Sequence, residues 1–266
     1  MRKTKFLFSA MLAIALCGLT ACSSDDAFET SHQSESNSSE EQTRSGAEAG
    51  TISVTYKDIT YKDIPTALDG KGNVKFLNEN FSTWFAEMEA TKPELCIYLV
   101  NDKEIILYDN VEQCLDEQHI IQCEEKGTRA FVDDETQHLG EVTLFDDTHY
   151  NDRHYTFYVI GASDTYYMND LSDWEYTSFN DKSSSLKMTN KMNSSGTVTI
   201  NNYTYNCSQI TLVFIGYANI GYGGSTIVST ADASTVTSHF CLPRFNDKMS
   251  SFKLFFGLKT MYPPTI

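Results

Sequence analysis

From about residue 51 almost to the C-terminus, short apolar runs alternate with polar turns. Most of these runs carry the period of two that places one face of a strand in a core. Ile52-Ser53-Val54-Thr55-Tyr56 is the first. Thr55-Tyr56-Lys57-Asp58-Ile59 is then nearly repeated as Thr60-Tyr61-Lys62-Asp63-Ile64, a unit too short to be a structural repeat. One stretch changes period: Phe81, Trp84, Phe85 and Met88 fall on one helical face, with Asn78 or Asn80 as cap and Pro93 just beyond. An aromatic face of this kind is core far more often than a ligand platform. Leu95 to Val100 and Ile105 to Tyr108, joined by Asn101-Asp102, read as a hairpin. A short helix at Val111 to Leu115, a strand at His119 to Cys123 and a closing strand at Phe131-Val132 follow. Residues 51–140 are therefore expected to form a small α+β domain of their own.

The remaining residues, 141–266, pattern as strands only, and they do so twice. Val142 to Phe145, Tyr150-Asn151-Asp152 and His154 to Val159 lead to Phe179-Asn180-Asp181-Lys182-Ser183-Ser184-Ser185 and the strand Leu186 to Met188. Ile210 to Phe214, Tyr217 with Tyr222-Gly223-Gly224 and Thr226 to Val228 lead to Phe245-Asn246-Asp247-Lys248-Met249-Ser250-Ser251 and the strand Phe252 to Phe255. Clusters of Asn, Asp and Ser usually make turns. Two copies in the same context instead suggest a duplicated site for a hard cation, since calcium takes about 6–8 oxygen ligands in tolerant geometry.

These features resemble the microbial, calcium-binding form of the βγ-crystallin family, over about residues 141–257. Its Greek-key motif has an aromatic-x4-aromatic-x-Gly corner and an (Asn/Asp)(Asn/Asp)-x-x-(Ser/Thr)-Ser loop. Tyr217, Tyr222 and Gly224 match the corner fully; Phe145 and Tyr150 are followed by Asp152 where glycine is expected. Asp tolerates the left-handed backbone better than most residues, so a strained first corner is expected. The resemblance implies a mainly β fold, with two Greek-key motifs in a β-sandwich after the α+β domain. It also implies up to two calcium ions, each held by groups from both motifs. Side-chain ligands would be Asp181, Ser184, Asp247 and Ser250, with Asn180 and Asn246 bracing the loops and the Lys182 and Lys248 carbonyls contributing. An insertion at about 189–209 separates the motifs; its Asn201-Asn202 centre predicts a two-residue hairpin turn.

The N-terminus tells a different story. Arg2, Lys3 and Lys5 precede an apolar run from Phe6 to Leu19 that is too short to span a bilayer. Leu19-Thr20-Ala21-Cys22 resembles the lipobox of bacterial lipoproteins. That implies a signal peptide over 1–21, acyl chains such as palmitate on Cys22, and an outer-membrane anchor in a Gram-negative bacterium; an ordinary secretory signal is the alternative. Ser23-Ser24-Asp25-Asp26 is similar to acidic tags that direct lipoproteins to the cell surface. Residues 22–50 read as a disordered tether: from 23 to 50 there are eight Ser, seven acidic residues and one aromatic, Phe28.

Charge narrows the partners. The whole chain carries −16; without Arg2, Lys3 and Lys5, 17 basic side chains face 36 acidic ones, a net −19. This argues against nucleic acid and anionic lipid and favours cations. Besides Cys22, the exported chain holds Cys96, Cys114, Cys123, Cys207 and Cys241. An exported protein can form disulfides, and Cys207–Cys241 or Cys114–Cys123 are candidate bridges. No nucleophile elbow, phosphate loop or zinc motif occurs, so no catalytic residue is predicted. The expected function is a non-catalytic calcium-binding surface lipoprotein. The alternatives are an inhibitor of secreted proteases and an adhesin with a glycan or host-protein partner.

Overall fold

A computed structural model describes residues 49–69, 73–123, 138–172 and 179–260, all within one unit, Arg44–Ile266. The signal segment, Cys22, most of the tether and Phe131-Val132 lie outside the described residues. The first strands are β1 (Ala49–Tyr56), β2 (Ile59–Leu68) and β3 (Val74–Phe76). The near-repeat in the sequence is the β1–β2 hairpin itself: Tyr56 pairs with Ile59 and Thr55 with Thr60, around Lys57 at φ 54°. Helix α1 (Glu79–Thr91) starts where Asn78 Oδ1 accepts the Phe81 N–H at 3.0 Å, and it ends two residues before Pro93. It buries Phe81, Phe85 and Met88. Strands β4 (Cys96–Asn101) and β5 (Glu104–Tyr108), helix α2 (Val111–Glu117) and strand β6 (Ile120–Gln122) complete this part.

Two four-strand motifs follow. The first is β7 (Gly140–Phe145), β8 (His154–Val159), β9 (Thr165–Met168) and β10 (Ser185–Asn190). The predicted hairpin, β11 (Thr197–Ile200) and β12 (Tyr203–Asn206), turns on Asn201 and Asn202 at φ 51° and 67°. The second motif is β13 (Ile210–Asn219), β14 (Gly223–Asp232), β15 (Thr235–His239) and β16 (Ser251–Lys259). Each motif gives its third strand to the other's sheet. One sheet runs β15-β10-β7-β8, and β9 pairs with β16 beside β13 and β14. This exchange is Greek-key topology, and it binds each motif to the other.

The larger sheet continues past the second motif in the order β3-β2-β1-β5-β4-β14-β13-β16-β6. Strand β4 pairs in parallel with β14, and β6 pairs with β16. The expected boundary at residue 140 is therefore corrected: residues 51–123 extend and cover the Greek-key sheet instead of forming a domain of their own. The reason is visible in β13. Leu212 and Phe214 face the core between the sheets, while Val213, Ile215 and Tyr217 face a second apolar cluster with Tyr98, Tyr108, Cys114, Val228 and Phe255. A strand apolar on both faces needs cover on both.

The cysteine pairing is also corrected. All five described cysteines are free and buried. Cys207 packs by Gly196 at the base of the β11–β12 hairpin, whereas Cys241 follows β15 and has Asp102 as an electrostatic neighbour. Cys114 has Cys96, not Cys123, as its thiol neighbour; that contact and burial push its pKa up.

Candidate metal centre

The two corners superpose residue for residue in their backbone signs. His149, Tyr150 and Asp152 have φ of 59°, 61° and 64°; Gly221, Tyr222 and Gly224 have 74°, 64° and 79°. Asp152 thus adopts the left-handed conformation expected of the missing glycine. The aromatic pairs match as well: Phe145 and Tyr150 centroids are 5.6 Å apart at 67°, Tyr217 and Tyr222 5.5 Å apart at 68°. Lys187 lies over the first pair and Lys253 over the second.

The corners hold the loops through hydroxyls. Ser185 Oγ donates to the Asp147 carbonyl at 2.7 Å and accepts the Tyr150 N–H at 3.2 Å. Ser251 Oγ donates to the Asn219 carbonyl at 2.7 Å and accepts the Tyr222 N–H at 3.1 Å. These two serines thereby tie each loop to its own corner. Gly216 makes room for the second loop, since a Cβ there would stand 2.6 Å from Met249 Sδ.

The loops then engage each other reciprocally. Asp181 N–H donates to the Met249 carbonyl at 3.0 Å and Asp247 N–H to the Ser183 carbonyl at 3.3 Å. Both aspartates sit in the left-handed region, at φ 53° and 52°. Across the pair, Ser184 Oγ lies 3.2 Å from Asp247 Oδ1, and Ser250 Oγ lies 3.3 Å from Asp181 Oδ1. Ser184 Oγ also reaches the Asp146 carbonyl at 2.8 Å and the Lys182 carbonyl at 3.5 Å. Ser250 Oγ reaches the Ala218 carbonyl at 2.9 Å. Each position thus gathers a carboxylate from one motif and a hydroxyl from the other. Asn180 braces its loop by donating to Asp181 Oδ2 at 2.8 Å, and Asn246 is buried. The Lys248 ammonium, for its part, points to Glu89 at 3.6 Å.

The donor set fits a hard cation. Among the described residues no group of three or more His, Cys, Asp or Glu side chains gathers as a metal site, so each position would rely on hydroxyl and carbonyl oxygens beside one carboxylate. Burial raises the Asp247 pKa, and the nearby Asp146 and Asp147 carboxylates raise it further. A divalent cation would relieve that excess of negative charge. Asn180 Oδ1 and Ser183 Oγ are buried without a hydrogen-bond partner, two further oxygens beside the loops. The Asp146 and Ala218 carbonyls escape sequence reasoning because a carbonyl donor has no side-chain signature. Their only signal is position: each follows the first aromatic residue of its corner.

No protein-family model matches the chain, and no curated protein matches it. Solved structures do. A βγ-crystallin from Ciona intestinalis is 16% identical, covering 42% of this chain and 95% of its own, with a TM-score of 0.23. A structure bearing on the evolution of the eye-lens βγ-crystallin domain fold is 18% identical, with 47% and 92% covered and a TM-score of 0.26. A clostrillin double mutant in complex with nickel is 21% identical, with 43% and 97% covered and a TM-score of 0.25. The chain is similar to βγ-crystallin domains. The strand exchange, the two corners and the paired loops carry that reading; the low scores of the superpositions add no weight to it.

A second constellation was invisible in the sequence. Ser229 Oγ lies 2.9 Å from His239 Nε2, and His239 Nδ1 lies 3.8 Å from Asp102 Oδ1. Ser229 and His239 are 0% and 1% exposed, so the hydroxyl has no access to a substrate. Burial lowers the His239 pKa to about 4, leaving the imidazole neutral. A folded pKa below the unfolded value of about 6.5 means the unfolded chain takes up the proton first. Stability from this group is full above the unfolded pKa and is lost as pH falls towards the folded one. Asp102, raised by burial, acts in the opposite sense at lower pH. Between about pH 7.5 and about pH 5 the loss from His239 should be about 2 kcal/mol. Urea midpoints at these two pH values should differ accordingly in the wild type and much less in His239→Gln. An equal pH response in both proteins would remove His239 from the account.

Proposed function

We propose that this protein is a non-catalytic, calcium-binding surface lipoprotein of a Gram-negative bacterium, in which the ion locks two crystallin-like motifs together. The reciprocal pairing of Asp247 with Ser184 and Asp181 with Ser250 carries the metal reading. A carboxylate, a hydroxyl and backbone carbonyls converge at each position, with the rest of a calcium shell left to the second carboxylate oxygen and water. Magnesium, which demands a tighter octahedral shell, fits such mixed oxygen donors poorly. Calorimetric titration of the chain from Cys22 onward should show saturable calcium heats with a stoichiometry of up to two, and much weaker magnesium heats. Absence of binding at millimolar calcium would reduce the loops to ordinary turns.

The anchor rests on Leu19-Thr20-Ala21-Cys22. Cys22 would become the acylated N-terminus, and the acidic, serine-rich stretch would hold the folded part off the membrane. Cys22→Ser should release the protein from the membrane fraction or leave the precursor uncut. Unchanged membrane partition with a normal mature N-terminus would exclude the lipoprotein reading.

A further inference from the structure

The Ser229–His239–Asp102 chain is turned the opposite way from a hydrolytic one. Its hydroxyl is sealed in the core, and its carboxylate lines a cavity of about 610 Å³. The walls of that cavity include Ile52 from β1, Leu68 from β2, Val74 from β3 and Phe240 after β15, so most of the lining is apolar. Asp102 belongs to the β4–β5 turn and is half-buried there, with its pKa raised by burial. It accepts the Phe240 N–H at 3.2 Å and faces the neutral His239 at 3.8 Å. Among the described residues no lysine or arginine forms an ion pair with it. Lys103 shares the lining but is itself exposed. His149, the other basic neighbour, acts on Asp102 through space and packs against Phe240, with ring centroids 4.9 Å apart and planes tilted by 33°.

A carboxylate in an apolar wall with one backbone donor and no fixed counter-ion is costly to keep. Behind it, Ser229 Oγ hydrogen-bonds His239 Nε2 at 2.9 Å, while His239 Nδ1 stands 3.8 Å from Asp102, beyond hydrogen-bond reach. His239 Nδ1 is itself buried without a hydrogen-bond partner. The Phe240 N–H holds the carboxylate at the cavity wall. Phe240 adds an aromatic ring to the same wall, and ring faces attract ammonium groups.

We propose that this cavity binds a small organic cation, an ammonium group on an apolar body, with Asp102 as counter-ion. The apolar body packs on Ile52, Leu68 and Val74, and the ring of Phe240 supplies the second contact to the cation. The Phe240 N–H positions Asp102, and His239, held by Ser229, packs behind it without a hydrogen bond to it. The site is separate from the paired loops, so its occupancy does not depend on calcium.

The test uses benzylammonium as probe and benzyl alcohol as its neutral isostere, by NMR titration of the chain from Cys22 onward, in calcium and in chelator. Benzylammonium should bind at least about tenfold tighter than the alcohol, which corresponds to about 1.4 kcal/mol, and should shift the Asp102 and Phe240 amides. Asp102→Asn should bring the two probes to equal affinity, and Asp247→Asn should leave the difference intact. Equal binding of the two probes to the wild type would overturn the proposal even if the Asp102 variant failed to fold. So would no binding of either at about 10 mM, or binding that survives in Asp102→Asn.

Discussion

A chain shortened to begin at residue 138 should fail to fold as a monomer. It would retain both Greek-key motifs but lose β1 to β6 and both helices. The outer faces of β13, β14 and β16 would then meet water, including Val213, Ile215, Tyr217, Val228 and Phe255, which are all at most 5% exposed in the full chain. Each such side chain is worth about 1.5–3 kcal/mol when buried, so five of them match or exceed the total stability of a typical domain, about 5–15 kcal/mol. The expected result is no cooperative thermal transition, with dye binding or aggregation at an exposed apolar sheet face. A shortened chain that melted cooperatively as a monomer, with a native near-ultraviolet spectrum, would restore the division at residue 140.

That division fails for a reason the sequence carries. Ile210 to Ile215 reads Ile-Thr-Leu-Val-Phe-Ile, an apolar run without alternation. Such a run marks a strand buried on both faces, whereas a plain two-sheet sandwich exposes one face of each sheet. The partner for the extra face was legible only as spare apolar strands between residues 95 and 123. What could not be read is that β4 would join β14 in parallel, because parallel pairing between distant segments leaves no local signature. The disulfide expectation failed similarly: Cys207 and Cys241 are close in sequence and share a motif, but their surroundings are set by different loops.

The loops were more legible because their chemistry is local. Asp181, Ser184, Asp247 and Ser250, the residues the resemblance singled out, stand in reciprocal Ser–Asp pairs. Asp152 at φ 64° also takes the strained backbone its position required. The Asp146 and Ala218 carbonyls, by contrast, emerge only once each corner is folded over its loop. The Ser229–His239–Asp102 chain depends on three segments up to 137 positions apart, Asp102 to His239, and no spacing rule reaches that far.

If calcium occupies both loop positions, its effect on stability should be large and its mutational pattern reciprocal. A ligand that binds only the folded state adds RT ln(1 + [L]/Kd), about 2.7 kcal/mol at a hundredfold excess over Kd. For a chain of this size about 1 kcal/mol corresponds to about 2–4 °C, so Tm should rise by about 5–10 °C between chelator and calcium. Asp247→Asn removes the carboxylate facing Ser184, and Asp181→Asn the one facing Ser250. Yet Asp181 and Asp247 also bond the opposite loop through their backbone N–H groups, to Met249 and Ser183. Loss of either carboxylate should therefore weaken its own position strongly and the other by a smaller factor, through the shared loop geometry. The two need not respond alike. Asp146 and Asp147 crowd negative charge around Asp247, where the second motif has Ala218 and Asn219. Although Arg153 pairs with Asp146 at 2.8 Å, the Asp247 position should bind calcium more tightly and Asp247→Asn should cost more of the Tm increase. Thermal melting of the wild type and both variants, in calcium, magnesium and chelator, reads all of this. Equal Tm values in calcium and chelator would exclude an ion-locked module; equal losses in the two variants would exclude the charge difference between the positions.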